Sequence, residues 1–169
     1  MPVGPAFRNA EGLSGVRARC AFAIWLIALA SGMGVMTHFS LTSGAVGASP
    51  ERWPADSITP RTQVRAMIVL SAHPNCPCTE ATTAELAQWM DLQGDRPETV
   101  VLAVLPDGAN SDWDLKRMAE LTVAIAGARM VADRGGVESL RHGAMTSGHL
   151  TYYDGSGLRR YQGGVTVPS

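Results

Sequence analysis

An uncharged apolar run near the N-terminus most constrains how this chain folds. From Cys20 to Met36 the sequence has no Asp, Glu, Lys or Arg, and the apolar stretch extends to Leu41. Its length is close to the ~20 residues with which a helix crosses a bilayer. Three basic residues precede it: Arg8, Arg17 and Arg19. Because basic residues favour the cytoplasmic side, we expect the N-terminus inside and the rest of the chain outside.

Two interpretations of this run remain open. It is either a retained transmembrane anchor over residues 20–39 or a secretory signal, for which Val46, Gly47 and Ala48 supply the small residues of a cleavage site. We favour the anchor, because the run is longer than a usual signal core and the small residues lie well beyond it. The expected location is a bacterial inner membrane, with one crossing and the domain facing the periplasm.

Composition defines the remaining segments. Residues 1–19 are predicted to be a basic tail, and residues 40–64, rich in Ser, Thr, Gly and Pro, a flexible linker. Residues 65–169 then form one domain, a size that buries a single core. Charged residues make up 17% of the chain and the net charge is -1, so no broad cationic surface for nucleic acid is expected.

Apolar runs and amphipathic segments alternate within this domain. The periodicity predicts the order β-α-β-α-β-α-β-β, over residues 66–71, 79–92, 99–105, from 110 or 111 to 126, 129–132, 137–142, 149–153 and 158–162. Alternating strands and helices require a parallel sheet, and Asp154-Gly155-Ser156-Gly157 predicts a closing hairpin. The fold class is therefore α/β, with a mixed sheet flanked by helices.

The chemistry is concentrated in HPNCPC, residues 73–78, between the first strand and the first long helix. The positive end of a helix there lowers the pKa of a thiol and stabilises the thiolate that attacks disulfides. Pro77 suits a first helical turn. A bond between Cys76 and Cys78 closes a very small ring, which we expect to be easily reduced, favouring oxidase or isomerase behaviour.

These residues resemble the thioredoxin-like superfamily. More narrowly, HPNCPC, the TSGH stretch at 146–149, YDGSG at 153–157 and YQGG at 161–164 look like the membrane-anchored RedB-type thioredoxin-like proteins. The resemblance covers residues 65–165. It implies a four-stranded core sheet flanked by helices and thiol–disulfide chemistry at the Cys pair, with exported thiol or disulfide proteins or a membrane electron donor as partners.

The sequence departs from the superfamily pattern in two places. The usual C-x-x-C motif is replaced by Cys76-Pro77-Cys78, in which Cys76 would be the attacking thiol. The usual cis-proline is also absent, and Ser147 and Gly148 stand where it would fall. His73, Pro74, Pro77, Glu80, Ser147 and Gly148 are the expected neighbours of the pair.

The loss of that proline also supports a metal-binding hypothesis. His73, Cys76 and Cys78 form an H-x-x-C-x-C cluster, and we expect His149 to face the pair across the cleft. Copper-delivery proteins of the same fold use two Cys and one His, ligands that suit Cu(I). Three functions therefore remain: a thiol–disulfide oxidoreductase with no cofactor beyond its redox-active disulfide, which is favoured, a copper-binding module, and a non-catalytic adaptor.

Five further side chains have expected roles. Glu80 complements the helix dipole or accepts a proton from Cys78. His142 is expected to be a cation at a helix end, and Trp89 a packing residue. Tyr152 and Tyr153 alternate along a strand, so one is expected to be buried and the other partly exposed.

Overall fold

The computed structural model describes residues 6–42, 47–108 and 115–165, with side chains from residue 15 onward. The chain divides into two compact units, Met1–Ser43 and Gly44–Ser169. The first unit contains one helix, α1, Ala6–Leu41. The predicted basic tail is therefore not a separate segment, because its residues from Ala6 onward continue into the apolar helix.

Most of α1 is long and apolar enough to cross a membrane. Gly15–Leu41 spans 27 residues, its most apolar 18-residue window has a mean hydropathy of 1.9, and its side chains are exposed. Length and composition are the basis of this assignment, and a signal sequence near an N-terminus has the same properties.

Over its described residues, the second unit contains the five strands and three helices expected after the apolar run. They are β1 Met67–Ala72, α2 Pro77–Asp91, β2 Glu98–Leu105, α3 Leu115–Val123, β3 Ala128–Arg134, α4 Val137–Arg141, β4 His149–Tyr153 and β5 Arg159–Gly163. The predicted β-α-β-α-β-α-β-β order is confirmed. The predicted start of the second helix at Asn110 or Ser111 lies outside the described residues.

The strands form one sheet in the order β3-β2-β1-β4-β5. The neighbours β1 and β2 are parallel, as are β2 and β3, whereas β4 runs antiparallel to both β1 and β5. With a helix after each parallel strand and a closing antiparallel hairpin, this topology is the thioredoxin-like fold. The expected fold class is confirmed.

Strand β1 lies at the centre of the sheet and is buried on both faces. Ile68, Leu70 and Ala72 belong to the core cluster that packs with α2 and α3. Met67 and Val69 point the other way, into a second cluster that includes Tyr153. A central strand covered on both faces needs a continuous apolar sequence, which explains the uninterrupted run MIVL.

A segment predicted to be linker covers this second face. Residues 47–64, which we call the strap, contain buried Ser49 and Thr59. The Trp53 amide donates to the carbonyl of Gly157 at 2.8 Å, and the Arg159 amide donates to that of Glu51 at 2.8 Å. The prediction of a flexible linker over 40–64 is therefore wrong for the strap, because its backbone pairs with the β4–β5 hairpin.

Candidate functional site

The Cys pair lies where the predicted chemistry requires it, at the start of α2. Cys76 is the N-cap residue, with φ -93° and ψ 122°, Pro77 is the first helical residue, and Cys78 follows. The two sulfurs are joined in a disulfide whose Cα atoms are 5.3 Å apart. Cys76 is half-buried and Cys78 is exposed. The disulfide is therefore accessible, and Cys78 is its more exposed residue.

The turn from β1 into α2 is fixed by the backbone of the motif itself. The Cys76 amide donates to the carbonyl of His73 at 3.1 Å, and the Thr79 amide donates to that of Cys76 at 2.9 Å. Pro77 has no amide hydrogen, and at the first position of a helix none is needed. The Cys-Pro-Cys spacing thus places one sulfur at the N-cap and the other inside the first turn.

Three groups beside the pair form a closed ring of hydrogen bonds, which we call the hydroxyl ring. The His73 amide donates to Ser147 Oγ at 2.9 Å, Ser147 Oγ lies 2.9 Å from Thr79 Oγ1, and Thr79 Oγ1 donates to the His73 carbonyl at 2.9 Å. Because Thr79 uses its proton on His73, Ser147 must donate to Thr79. The ring joins the end of β1, the first turn of α2 and the loop before β4.

Thr79 is the site residue that the sequence analysis missed. It is fully buried, at 0% exposure. The signal available was a hydroxyl residue three positions after the N-cap, but such a residue usually faces solvent or caps the helix itself.

The loop before β4 brings Ser147 to the pair. The Ser147 carbonyl oxygen lies 3.8 Å from Cys78 Sγ. Gly148 has φ +82°, and its amide donates to the Ser71 carbonyl at 2.8 Å. A Cβ at that position would lie 3.0 Å from Thr82 Oγ1, so glycine suits both the left-handed backbone and the space.

The other expected neighbours of the pair, His73, Pro74 and Glu80, differ in their contacts and burial. The Asn75 amide donates to His73 Nδ1 at 3.3 Å, so this ring folds back on its own loop, and Pro74 is buried. Glu80 forms an ion pair with Arg117 of α3, both being exposed. The hydrogen bond to Glu80 and its negative charge raise the pKa of Arg117.

The structure does not bring His149 to the Cys pair, so that expectation is wrong. His149 lies opposite Ser71 on β1, whereas its neighbour Leu150 points into the core cluster packed with α2. The imidazole is thus on the other face of the sheet, where its Nε2 lies 3.2 Å from Ser49 Oγ of the strap. Among the described residues, no group of three or more His, Cys, Asp or Glu is arranged to hold a metal ion.

His142 is buried rather than an exposed cation at a helix end. It is 1% exposed, and its ring packs edge-on against Trp53 and Tyr153, with centroid distances of 4.8 and 5.7 Å. Burial lowers the pKa of His142, although the nearby Glu138 carboxylate opposes this effect. We therefore expect a neutral imidazole at pH 7.

Glu138 is the charged centre of the same face, and its carboxylate lies 3.5 Å from His142 Nε2. We call Glu138, Ser57, Asp56, Arg141 and His142 the strap network. Ser57 and Arg141 both donate to its carboxylate, and Arg141 also pairs with Asp56 at 2.9 Å. Burial raises the pKa of Glu138, but hydrogen bonds from Ser57, Arg141 and the Ile58 amide outweigh this and lower it. The network therefore holds an ionised carboxylate and ties the strap to α4.

The tyrosine prediction is confirmed, whereas the one for Trp89 is wrong. Tyr153 is fully buried, and burial raises its pKa to about 12, whereas Tyr152 is half-buried. Trp89 is 43% exposed and lines an open apolar groove of about 780 Å³ between α2 and the β4–β5 hairpin. A separate cavity of about 280 Å³ adjoins His73 and Ser147.

Comparison with known proteins finds similarity in structure. No protein-family model matches the chain, and no curated protein sequence matches it. A hypothetical protein from Sinorhizobium meliloti is similar with a TM-score of 0.53 at 17% identity, over 76% of this chain and 75% of that one.

Two other solved structures are similar at lower scores. A thioredoxin-like protein from Aeropyrum pernix has a TM-score of 0.49 at 10% identity, over 83% of this chain and 91% of that one. A secreted disulfide oxidoreductase from Mycobacterium tuberculosis has 0.47 at 16% identity, over 62% and 74%. At these identities the likeness concerns the fold, so the activity must be argued from the site.

Proposed function

We propose that this chain is a membrane-anchored, extracytoplasmic thiol–disulfide oxidoreductase of the RedB type, with Cys76 and Cys78 as its redox pair. The observation that carries the proposal is the accessible disulfide at the N-terminus of α2. A disulfide between residues only two positions apart closes too small a loop to stabilise a fold appreciably, which argues against a purely structural role. The helix dipole at the same point stabilises a thiolate once the bond opens.

The chemistry is an exchange of two electrons between two sulfur pairs. A thiolate of an exported protein attacks one sulfur of the pair, forming a mixed disulfide and releasing the other sulfur as a thiolate. A second thiolate of the substrate attacks its own sulfur in the mixed disulfide, so the substrate leaves oxidised and the pair takes up two protons as a dithiol. Run backwards, with a membrane dithiol as electron donor, the same steps reduce substrate disulfides.

Each of the two units has its own role in this proposal. Helix α1 would hold the protein at the inner membrane, and the basic residues before the apolar run would keep its N-terminus in the cytoplasm. The thioredoxin-like unit would then lie in the periplasm, an oxidising compartment in which disulfide exchange occurs.

The experiment is a redox titration of the full chain in detergent micelles. Because Cys20 is an exposed free thiol, every variant carries Cys20→Ala. The protein is equilibrated with glutathione buffers, quenched with acid and alkylated, and its mass gives the oxidised fraction. We expect one reversible two-electron transition, absent from the Cys76→Ser and Cys78→Ser variants. A pair that stays oxidised across the range in which known oxidoreductases titrate would overturn the proposal.

A parallel titration with one equivalent of Cu(I) distinguishes the copper-binding alternative. The oxidoreductase proposal predicts an unchanged midpoint. If Cu(I) blocks reoxidation of the dithiol and His73→Ala restores it, copper delivery would replace thiol exchange as the function of the site.

A further inference from the structure

The two cysteines of the pair differ in exposure in the sense opposite to the sequence expectation. Cys76, the expected attacking residue, is half-buried as the N-cap of α2, whereas Cys78 is exposed. An incoming thiolate forms its new bond to whichever sulfur it reaches. The greater exposure of the Cys78 residue therefore favours attack on its sulfur.

The sulfur that leaves must carry negative charge, and the N-cap is the better place for it. Cys76 is the N-cap of a 15-residue helix, and in the disulfide form its side chain makes no capping hydrogen bond. Once released, a thiolate at this position faces the positive end of the helix dipole. The dipole stabilises the Cys76 thiolate, and a more stable thiolate leaves faster.

The surroundings of Cys78 have the opposite electrostatic effect. The carbonyl oxygen of Ser147 lies 3.8 Å from Cys78 Sγ. A carbonyl oxygen repels a thiolate but accepts a hydrogen bond from a thiol, so it favours the neutral form of Cys78. The hydroxyl ring fixes this carbonyl, because the Ser147 side chain is tied to both His73 and Thr79.

From these contacts we infer that Cys78 is the residue that forms the mixed disulfide with substrate and that Cys76 is the thiolate that leaves and later resolves it. The inference rests on the proposed function and names the catalytic role of each sulfur. In the forward step the substrate thiolate bonds to Cys78 Sγ, the Cys76–Cys78 bond breaks, and its electron pair stays on Cys76. In the reverse step the Cys76 thiolate attacks Cys78 Sγ and expels the substrate thiolate.

The first test locates the mixed disulfide directly. The oxidised full chain in micelles, carrying Cys20→Ala, is mixed briefly with glutathione, quenched with acid, alkylated and digested. Fragmentation before Pro77 in tandem mass spectrometry separates Cys76 from Cys78. We expect glutathione on Cys78 in about tenfold excess over Cys76, since leaving-group pKa and access both favour this product. Equal amounts on the two residues, or an excess on Cys76, would overturn the inference.

The second test does not depend on exchange with glutathione. The reduced protein is treated with limiting iodoacetamide at pH 6, and the same fragmentation shows which residue is alkylated first. We expect Cys76 to react about tenfold faster, because its thiolate fraction is larger. Faster alkylation of Cys78 would overturn the assignment of Cys76 as the leaving thiolate. Failure of the redox titration would instead overturn the proposed function, so the two failures are distinguishable.

Discussion

The hydroxyl ring and the strap network contain similar residues but serve opposite purposes. Each includes a histidine, a serine and a helical residue, but the ring uses only the backbone of His73, consists of neutral groups and leaves Cys78 exposed. The strap network encloses ionised Glu138 and a histidine that is 1% exposed. The comparison teaches that exposure, more than residue type, distinguishes the region of the accessible disulfide from the enclosed strap network in this molecule.

The difference also concerns what each region holds in place. The hydroxyl ring fixes a loop carbonyl beside Cys78 Sγ of the proposed redox pair, so a small displacement there would change the proposed chemistry. The strap network fixes Ser57 and Asp56 of the strap against Arg141 and Glu138 of α4, so its loss would change stability. Substitutions in the two regions should therefore separate into two phenotypes.

The largest expected effect follows from Glu138→Gln. The substitution keeps the shape of the side chain but removes the charge that Ser57 and Arg141 stabilise. Removing one partner of a buried ion pair costs about 3–5 kcal/mol. We expect the free energy of unfolding to fall by about 3 kcal/mol, because Arg141 still pairs with Asp56 and is partly exposed. Urea unfolding of the full chain in micelles, followed by tryptophan fluorescence, measures the free energy of unfolding.

Glu138→Gln should leave the redox midpoint of the Cys pair unchanged while the protein is folded. A shifted midpoint would mean that the two regions are coupled across the sheet. Unchanged stability would mean that the strap is held without the carboxylate.

Acid should weaken the strap in the wild-type chain. Burial lowers the pKa of His142 and of His149, so below about pH 6.5 the unfolded chain binds more protons than the folded one. Their contribution to stability is thus fully present above that pH and is lost as pH falls. We expect the free energy of unfolding to decrease between pH 7 and 5, and His142→Gln to flatten part of that slope. If His142→Gln left the pH dependence of the free energy of unfolding unchanged, His142 would not be one of its causes.

Thr79→Val should destabilise the protein less than Glu138→Gln does, but it should change the rate of disulfide exchange more. It removes one member of the hydroxyl ring, so the His73 carbonyl keeps the Cys76 amide but loses the Thr79 hydroxyl, and the Ser147 hydroxyl loses its acceptor. We expect a loss of about 1–2 kcal/mol and a several-fold change in the rate at which glutathione opens the disulfide. Stopped-flow mixing with glutathione measures that rate.

Thr83→Val is the matched control for Thr79→Val. Thr83 is equally buried in α2, but its hydroxyl bonds only to carbonyls of its own helix, those of Thr79 and Glu80. Its substitution should leave the exchange rate unchanged. Equal effects of the two variants would show that the ring has no special role.

The strap explains much of what the sequence could not predict. Its Ser, Pro and Gly content has the composition of a linker, yet Gly47 packs so closely against the Gly143 carbonyl that no Cβ would fit. Ser49, in turn, bonds to the buried His149 and Thr151. These contacts lie about a hundred residues apart in sequence, and no local periodicity indicates them. The order of strands and helices was predictable because it depends on local apolar patterns.

The misplaced His149 has a different cause. The prediction used its nearness in sequence to Ser147, which does lie beside the pair. Side chains alternate along a strand, so His149, Thr151 and Tyr153 share one face, and Leu150 and Tyr152 share the other. Only the pairing of Leu150 with Leu70 shows which of these faces meets α2. A strand register, and not a motif, was the missing information.

The smallest expected effect comes from Glu80→Gln, the same substitution as at Glu138 but on the surface. Glu80 is two residues from Cys78 and pairs with Arg117, and both side chains are about half exposed. An exposed ion pair contributes about 0–1 kcal/mol, so the free energy of unfolding should change by less than about 0.5 kcal/mol. Because Arg117 already engages the carboxylate, we also expect an unchanged rate of exchange with glutathione across pH 6–8. If the rate instead fell about tenfold with a changed pH profile, Glu80 would be the proton acceptor for Cys78. The reactive region would then depend on a charged partner, as the strap network does, and the contrast between the two regions would fail.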